Sequence, residues 1–283
     1  MINKNFKSIF QTTDFSYKAA DVVIFGAPFD GTTSFKPGTR FGPNAIRYDS
    51  YAIEYYSPYL DRELSEVKIY DSGDIDIPLG NTKKILDLFG KYQRKLLADN
   101  KLPVCLGGEH LISLPLIHET FRKYPDLVVI HFDAHTDLRD EFFQEKLSHA
   151  TVLRRAHDFL GDGRIYQYGI RSGDKSEFKW AESHVKMNKF NCDSLQKDVE
   201  EIGNRPVYIT IDLDILDPSV FKGTGTPEPG GITFKELLNA IYTLKPLNVV
   251  AADMVELAPN YDTSGVSTAV AIKTLRELIL TIG

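Results

Sequence analysis

The chain reads as an α/β protein built on a parallel sheet with crossover helices, and three observations predict it. Short apolar, β-branched runs recur along the 283 residues. Helical patterns fill the intervals between them. The segments that directly follow the runs are rich in Gly, Asp and Pro, as loops at strand ends are.

The runs fall at residues 22–25, 67–70, 104–106, 127–132, 165–170, 207–211 and 249–252. Of the helical patterns, the one after Asn81 is clearest. Ile85, Leu88, Phe89, Tyr92 and Leu96 share one face, and Asn81 is placed to cap its start. Weaker patterns begin after His110, His149, Thr233 and Ser264. A closed eight-stranded barrel and an open doubly wound sheet both alternate strand with helix, so this rhythm leaves both open.

One domain spanning 1–283 is the expectation. No repeat, low-complexity tract or linker interrupts the chain, and the Gly/Pro-rich stretch 223–231 is too short to join domains. The formal net charge of −6, from 33 Lys+Arg against 39 Asp+Glu, argues against a nucleic-acid binder and leaves a cationic substrate welcome. Cys105 and Cys192 lie far apart with no C-x-x-C spacing, which suits a reducing cytosol. Residues 1–15 hold no apolar leader core, and no run is long enough to span a bilayer, so no membrane association is expected.

The chemistry concentrates after three of the runs. Asp133-Ala134-His135-Thr136-Asp137 follows residues 127–132, and on an extended backbone residues 133, 135 and 137 project to one side. Asp212 and Asp214 follow residues 207–211 at the same spacing, with Asp217 continuing the acidic loop. Gly107-Gly108-Glu109-His110 follows residues 102–106, where paired glycines permit a tight turn that aims His110 across the strand ends. Any one of these aspartates alone would pass for a turn or helix cap. Four carboxylates brought together, with few Lys or Arg nearby in sequence, instead require added positive charge, which two divalent cations would supply. Oxygen and imidazole donors without thiolate favour manganese over iron, cobalt or zinc, and magnesium usually avoids such all-protein cages. Two metals about 3.5 to 4 Å apart can share a water, lower its pKa and orient it as a nucleophile, so the pattern points to hydrolysis.

The motifs GGEH at 107–110, DAHTD at 133–137 and DLDILDPS at 212–219 resemble the signatures of the ureohydrolase family, the arginases and agmatinases. The likeness extends to residues 26–47, to the loop 223–231 and to DMVELAP at 253–259, nearly the whole chain, and is strongest to bacterial agmatinases. It implies an open three-layer α/β/α fold with a mostly parallel central sheet and ligands at the carboxyl ends of the strands. It also implies two Mn2+ ions, one held by His110, Asp133, Asp137 and Asp212 and the other by Asp133, His135, Asp212 and Asp214, so that Asp133 and Asp212 bridge.

By the same resemblance, His149 is the proton-shuttling histidine, expected as an unperturbed imidazole suited to neutral pH. Glu256 is the guanidinium-binding glutamate, able to pair in a fork geometry. In the hydrolysis expected from these parts, the metals and Asp137 or a neighbouring carboxylate stabilise the tetrahedral intermediate. Read without the family, His149 would pass for a helix start and Glu256 for a surface residue. His131 reads as a satisfied core residue, and His118, His157 and His184 as helix or loop surface.

Agmatine, cleaved to putrescine and urea, is the favoured substrate. Arginases carry Asn two residues beyond DAHTD to hold the α-carboxylate, where this chain has Arg139, and the loop 224–231 has the acidic Glu228 where arginases have an apolar residue. An arginase or guanidinobutyrase, an inactive metal-binding homologue, or a dinuclear phosphatase or peptidase are the competing readings. Family likeness suggests a homo-oligomer, trimer or hexamer.

Overall fold

Alternating side chains decide the architecture before any loop is considered. The computed structural model describes residue 10 and residues 15–283; the leader reading on residues 1–15 falls mostly outside the described residues. In chain order the elements are β1 (Val22–Ala27), α1 (Gly42–Asp49), a hairpin of β2 (Tyr56–Ser57) and β3 (Arg62–Glu63), β4 (Ile69–Asp74), α2 (Thr82–Ala98), β5 (Leu102–Gly107) and α3 (Ser113–Lys123). There follow β6 (Val128–Phe132), α4 (Val152–Leu160), β7 (Ile165–Ile170), α5 (Lys175–His184), β8 (Lys186–Lys189), α6 (Leu195–Ile202), β9 (Pro206–Asp212), α7 (Phe234–Thr243), β10 (Asn248–Val255) and α8 (Val266–Ile282).

Eight strands form one sheet in the order β4-β1-β5-β10-β9-β6-β7-β8. Every neighbouring pair is parallel, and among the described residues β4 and β8 are the edges. The sheet is therefore open, which removes the barrel. Along the strands Ile24, Val104, Ile130, Ile209 and Met254 face one way and pack with residues of α1, α6, α7 and α8. Val23, Phe25, Cys105, Val129 and Tyr208 face the other way and pack with α2, α3 and α4. A strand's period of two thus produces the three expected layers.

The α2 expectation holds in kind and widens in detail. Asn81 Oδ1 accepts the Lys84 N–H at 2.9 Å, a cap contributing about 1 kcal/mol. Leu86, Gly90, Gln93 and Leu97 are buried alongside Ile85, Phe89 and Leu96, while Leu88 and Tyr92 are half-buried. Strand β8 reads Lys-Met-Asn-Lys and was outside the expected runs, because an edge strand needs no apolar alternation and lysines there discourage further pairing. Helices α1, α5 and α6 were also unexpected; each is short, of eight to ten residues, and buries only a few side chains.

Candidate metal centre and catalytic cleft

Four strands that are consecutive in the sheet, β5, β10, β9 and β6, release their chains at the same edge because all are parallel. Their ends carry His110, Glu256, Asp212 with Asp214, and Asp133 with His135 and Asp137 respectively, Asp212 being the last residue of β9 and the others lying just beyond their strands. All eight predicted site residues, His149 included, lie at this edge, and His110, His135, Asp137, His149, Asp212 and Glu256 line one cleft of about 290 Å³.

His110 sits at the middle. The turn that aims it passes Gly108 so close to Phe29 that a Cβ there would lie 1.9 Å from the Phe29 carbonyl oxygen. His110 Nδ1 is 3.0 Å from Asp133 Oδ2, 3.2 Å from Asp137 Oδ2 and 3.3 Å from Asp212 Oδ2. Its other nitrogen, Nε2, is 2.9 Å from Thr210 Oγ1, and that hydroxyl donates to Asp253 Oδ1 at 2.6 Å. Thr210 has a single proton, so it accepts from His110 Nε2–H, and Nδ1 is the nitrogen that faces three carboxylate oxygens, where a proton sits in the metal-free ring and a cation could replace it. Nδ1 has no hydrogen-bond partner although it is buried. Burial alone lowers the His110 pKa, but the facing carboxylates Asp133, Asp137 and Asp212 outweigh it and raise it well above the ordinary value.

The carboxylates repel one another in the same way. Burial and the charge of Asp133 push Asp137 up to about 7. Burial, Asp214 and Asp133 raise Asp212 well above the usual range, and burial, Glu109 and Asp214 do the same to Glu256. An imidazole nitrogen facing three carboxylates, in a donor set of oxygen and imidazole without thiolate, fits a cation between them. The ligating atoms of Asp133, Asp137 and His110 with His131 form one compact group and those of Asp133, His135 and Asp214 another, so Asp133 is common to both.

The expected extended run does not last through DAHTD. His135 still bridges Ser172 in strand fashion, but Asp137 takes a positive φ of 53°, which turns its carboxylate toward His110. Glu256 does likewise at φ 67°. Left-handed backbone at a non-glycine residue costs on the order of 1–3 kcal/mol and persists where packing overdetermines it. Asp212 Oδ1 accepts the Asp214 N–H at 2.9 Å, closing the turn that presents both aspartates. Asp217 stays out of the cleft, accepting from Ser219, Gly230 and Gly231 to hold the following loop.

Sequence reasoning gave His131 no role, and it is the satisfied core residue expected, yet its partner is Asp133. Gln167 Nε2 donates to His131 Nδ1 at 3.0 Å, which leaves His131 Nε2–H to donate to Asp133 Oδ2 at 2.8 Å. Burial lowers the His131 pKa, keeping the ring neutral. Its only lone pair is taken by Gln167, so it supports a ligand instead of being one.

The His149 ring is fixed by Thr32. Nδ1–H donates to the Thr32 carbonyl at 3.1 Å, and the His149 N–H donates to Thr32 Oγ1 at 3.2 Å. Thr32 is held in turn by the buried Glu109, whose Oε2 accepts the Thr32 N–H at 2.9 Å and the Thr33 hydroxyl at 3.2 Å. The expectation of an unperturbed imidazole is corrected: burial, then the charge of His135, push His149 down to about 4. Its ring is neutral at pH 7, with Nε2 near Ser34 Oγ as the acceptor facing the cleft.

At the rim, Arg139 pairs with Asp174 at 3.2 Å and Glu177 at 3.5 Å and lies over the Phe142 ring, not against the adjacent Asp140 and Glu141. Asp140 pairs with Arg155. Glu228 does not line the cleft; its carbonyl accepts from Arg171 at 2.8 Å, and Thr226 from the same loop lines it instead.

The arginase family model matches residues 20–281. An agmatinase from Bacillus cereus is 50% identical over 94% of this chain and 93% of its own length, and one from Bacillus subtilis is 46% identical over 93% and 92%. The solved structure of a proposed agmatinase from Clostridium difficile superposes with a TM-score of 0.93 at 47% identity, covering 94% of this chain and 98% of that one. With its sheet, its strand-end residues and its relatives in agreement, the chain belongs to the arginase family and is a hydrolase acting on guanidino compounds.

Proposed function

We propose that the protein is an agmatinase that loads two Mn2+ ions and converts agmatine and water to putrescine and urea. The observation that carries this reading is His110 Nδ1 set among three carboxylate oxygens, beside a second ligand group that shares Asp133. His110, Asp133, Asp137 and Asp212 would hold one cation, and Asp133, His135, Asp212 and Asp214 the other. When bound, such a pair supplies Lewis-acid polarisation and an activated water.

The remaining steps belong to the chain's own side chains. Glu256 receives the guanidinium. Its Oε1 already accepts the His110 N–H at 2.9 Å, and among the described residues no hydrogen bond reaches Oε2, which is the oxygen open to substrate. Asp137 stabilises the tetrahedral intermediate. His149, locked by Thr32 with Nδ1–H outward, takes up a proton at Nε2 and passes it to the departing amine. The ion pairs on Arg139 leave no free cation there for an α-carboxylate, which favours agmatine over arginine.

We take the whole chain, 1–283, as one catalytic unit acting in the cytosol as a homo-oligomer, a trimer or hexamer. Free Cys105 and Cys192 support a reducing compartment. Among the described residues no helix is long and apolar enough to cross a membrane. Exposed Phe35, Phe41, Tyr48, Tyr51 and Tyr55, clustered in and around α1, support association between copies.

The test is to incubate the protein with manganese and agmatine, arginine or guanidinobutyrate and to measure urea, with light scattering for subunit number. Urea from agmatine above the other two upholds the reading. Urea from none of them refutes it.

A further inference from the structure

Three side chains at the far end of α4 meet without any part in the cleft. His157 lies in the last turn of α4, and His184 is the last residue of α5. Asp162 stands between them in the turn Gly161-Asp162-Gly163. Both glycines have positive φ, 81° and 68°, so the turn holds one carboxylate out between two helix ends. The turn is tied to both helices, because Gly161 N–H donates to the His157 carbonyl at 2.9 Å and Gly163 N–H to that of His184 at 3.1 Å.

His157 Nε2 and His184 Nδ1 converge on the same oxygen, Asp162 Oδ1, at 2.8 and 2.6 Å. One ligating atom from each of the three lies within 4.8 Å of the others. The rings are held in place. Trp180 stacks on His184 with centroids 4.2 Å apart and meets His157 edge-on at 4.7 Å, and the Arg154 guanidinium lies 4.0 Å from the Trp180 ring. The imidazoles are mostly buried, at 16% and 32% exposure, while Asp162 is 65% exposed, so the group opens to water on the carboxylate side.

We propose that His157, Asp162 and His184 form a second cation site, taking a divalent late transition metal of the zinc type. Two imidazoles and a carboxylate are a complete three-ligand set for such an ion, and the solvent-facing side leaves room for water as the fourth. Zinc at 2.0–2.2 Å from each donor places the donors roughly 3.3 Å apart, so the three atoms need shift by no more than about 1.5 Å. Helices α4 and α5 both end at the site, and the C-terminal end of a helix favours positive charge. Nine residues of α4, about 13 Å, separate it from the His149 end of the same helix.

Trp180 is the single tryptophan of the chain and lies against one proposed ligand, so its emission reports on this place. Manganese-loaded protein is dialysed against zinc ion and its metals counted, beside the double variant His157→Ala/His184→Ala treated alike. In parallel, Co2+ is titrated in while Trp180 emission is followed. The native chain is expected to hold one zinc more than the variant, and Co2+ to quench it saturably but not the variant. Asp162→Asn, which keeps both rings, should weaken the Co2+ titration tenfold or more, and urea formation should be unchanged in all three proteins before zinc or cobalt is added. Equal zinc counts in the native and variant proteins would overturn the proposal, whatever the emission does. So would Co2+ quenching that Asp162→Asn leaves unchanged.

Discussion

Replacing His131 with Phe tests whether a residue that touches no substrate governs the metal centre. Phe keeps a planar ring there, though a larger one, and Gln167 retains its bond to the Thr136 carbonyl at 2.7 Å, while Asp133 is deprived of the N–H it accepts from His131 at 2.8 Å. A hydrogen bond to a charged group contributes about 1.5–3 kcal/mol, and at about 1.4 kcal/mol per decade this is a 10- to 100-fold loss in manganese affinity. Supporting partners of metal ligands typically carry an effect of that size. Manganese titration read by urea formation, with metal analysis after dialysis, measures it. The expected result is a manganese dissociation constant raised by about 10- to 100-fold with turnover at saturating manganese largely kept. Gln167→Leu, which frees the His131 tautomer, should show a smaller loss. Unchanged affinity in a His131→Phe protein that melts normally would refute the reasoning.

Glu256→Gln keeps the shape but removes the charge that meets the guanidinium, and should lower kcat/KM for agmatine by about 10- to 100-fold with manganese content intact. His149→Ala should slow turnover by about 10²- to 10⁴-fold with both metals retained; loss of metal in that variant would make His149 a ligand. Because His149 is held at about 4, the fold binds fewer protons than the unfolded chain below the ordinary value of 6.5. Stability should therefore fall as pH drops from 6.5 toward 4, and His149→Phe should flatten that part of the curve. Chelated protein should show the opposite trend from Asp137, which the fold raises from 3.8 to about 7: stability declines as pH climbs through that window, and manganese abolishes the decline in thermal melts. Arg47, buried against Asp71 at 2.7 Å and also paired with Asp74, should cost about 3–5 kcal/mol in urea unfolding when changed to Leu, since the buried Asp71 loses its partner.

The strand-end clusters were legible because ligand-type residues crowd directly after apolar runs, in D-A-H-T-D and D-L-D, and because GGEH marks a tight turn, although the backbone presents Asp137 through a positive φ and Asp214 through a turn instead of an extended strand. What brings them together was not, since nothing local in residues 102–107 says that this strand lies beside residues 248–255. The open sheet itself needed the family likeness, as alternation is equally true of a barrel. Partners remote in sequence were silent for the same reason: Glu109 holds Thr32 across 77 residues, and Thr32 holds His149 across 117. Polarity hid other elements, for β8 has a single apolar residue, Met187, and α5 buries only Glu177 and Ala181. The His149 pKa was misjudged because burial is a property of packing, and its neighbours Phe142 and Ala150 do not announce a closed cleft.

The placement of the centre on four interior strands ties its history to that of the whole fold. His110 and Glu256 touch across 146 residues, and no fragment ending before residue 256 contains both. A chain emerging from synthesis can form β1 to β9 and still lack the strand that seats between β5 and β9. That insertion is long-range and therefore slow, so the appearance of a functioning cleft should follow completion of the sheet, and fraying at the outer strands β4 and β8 should leave the centre undisturbed.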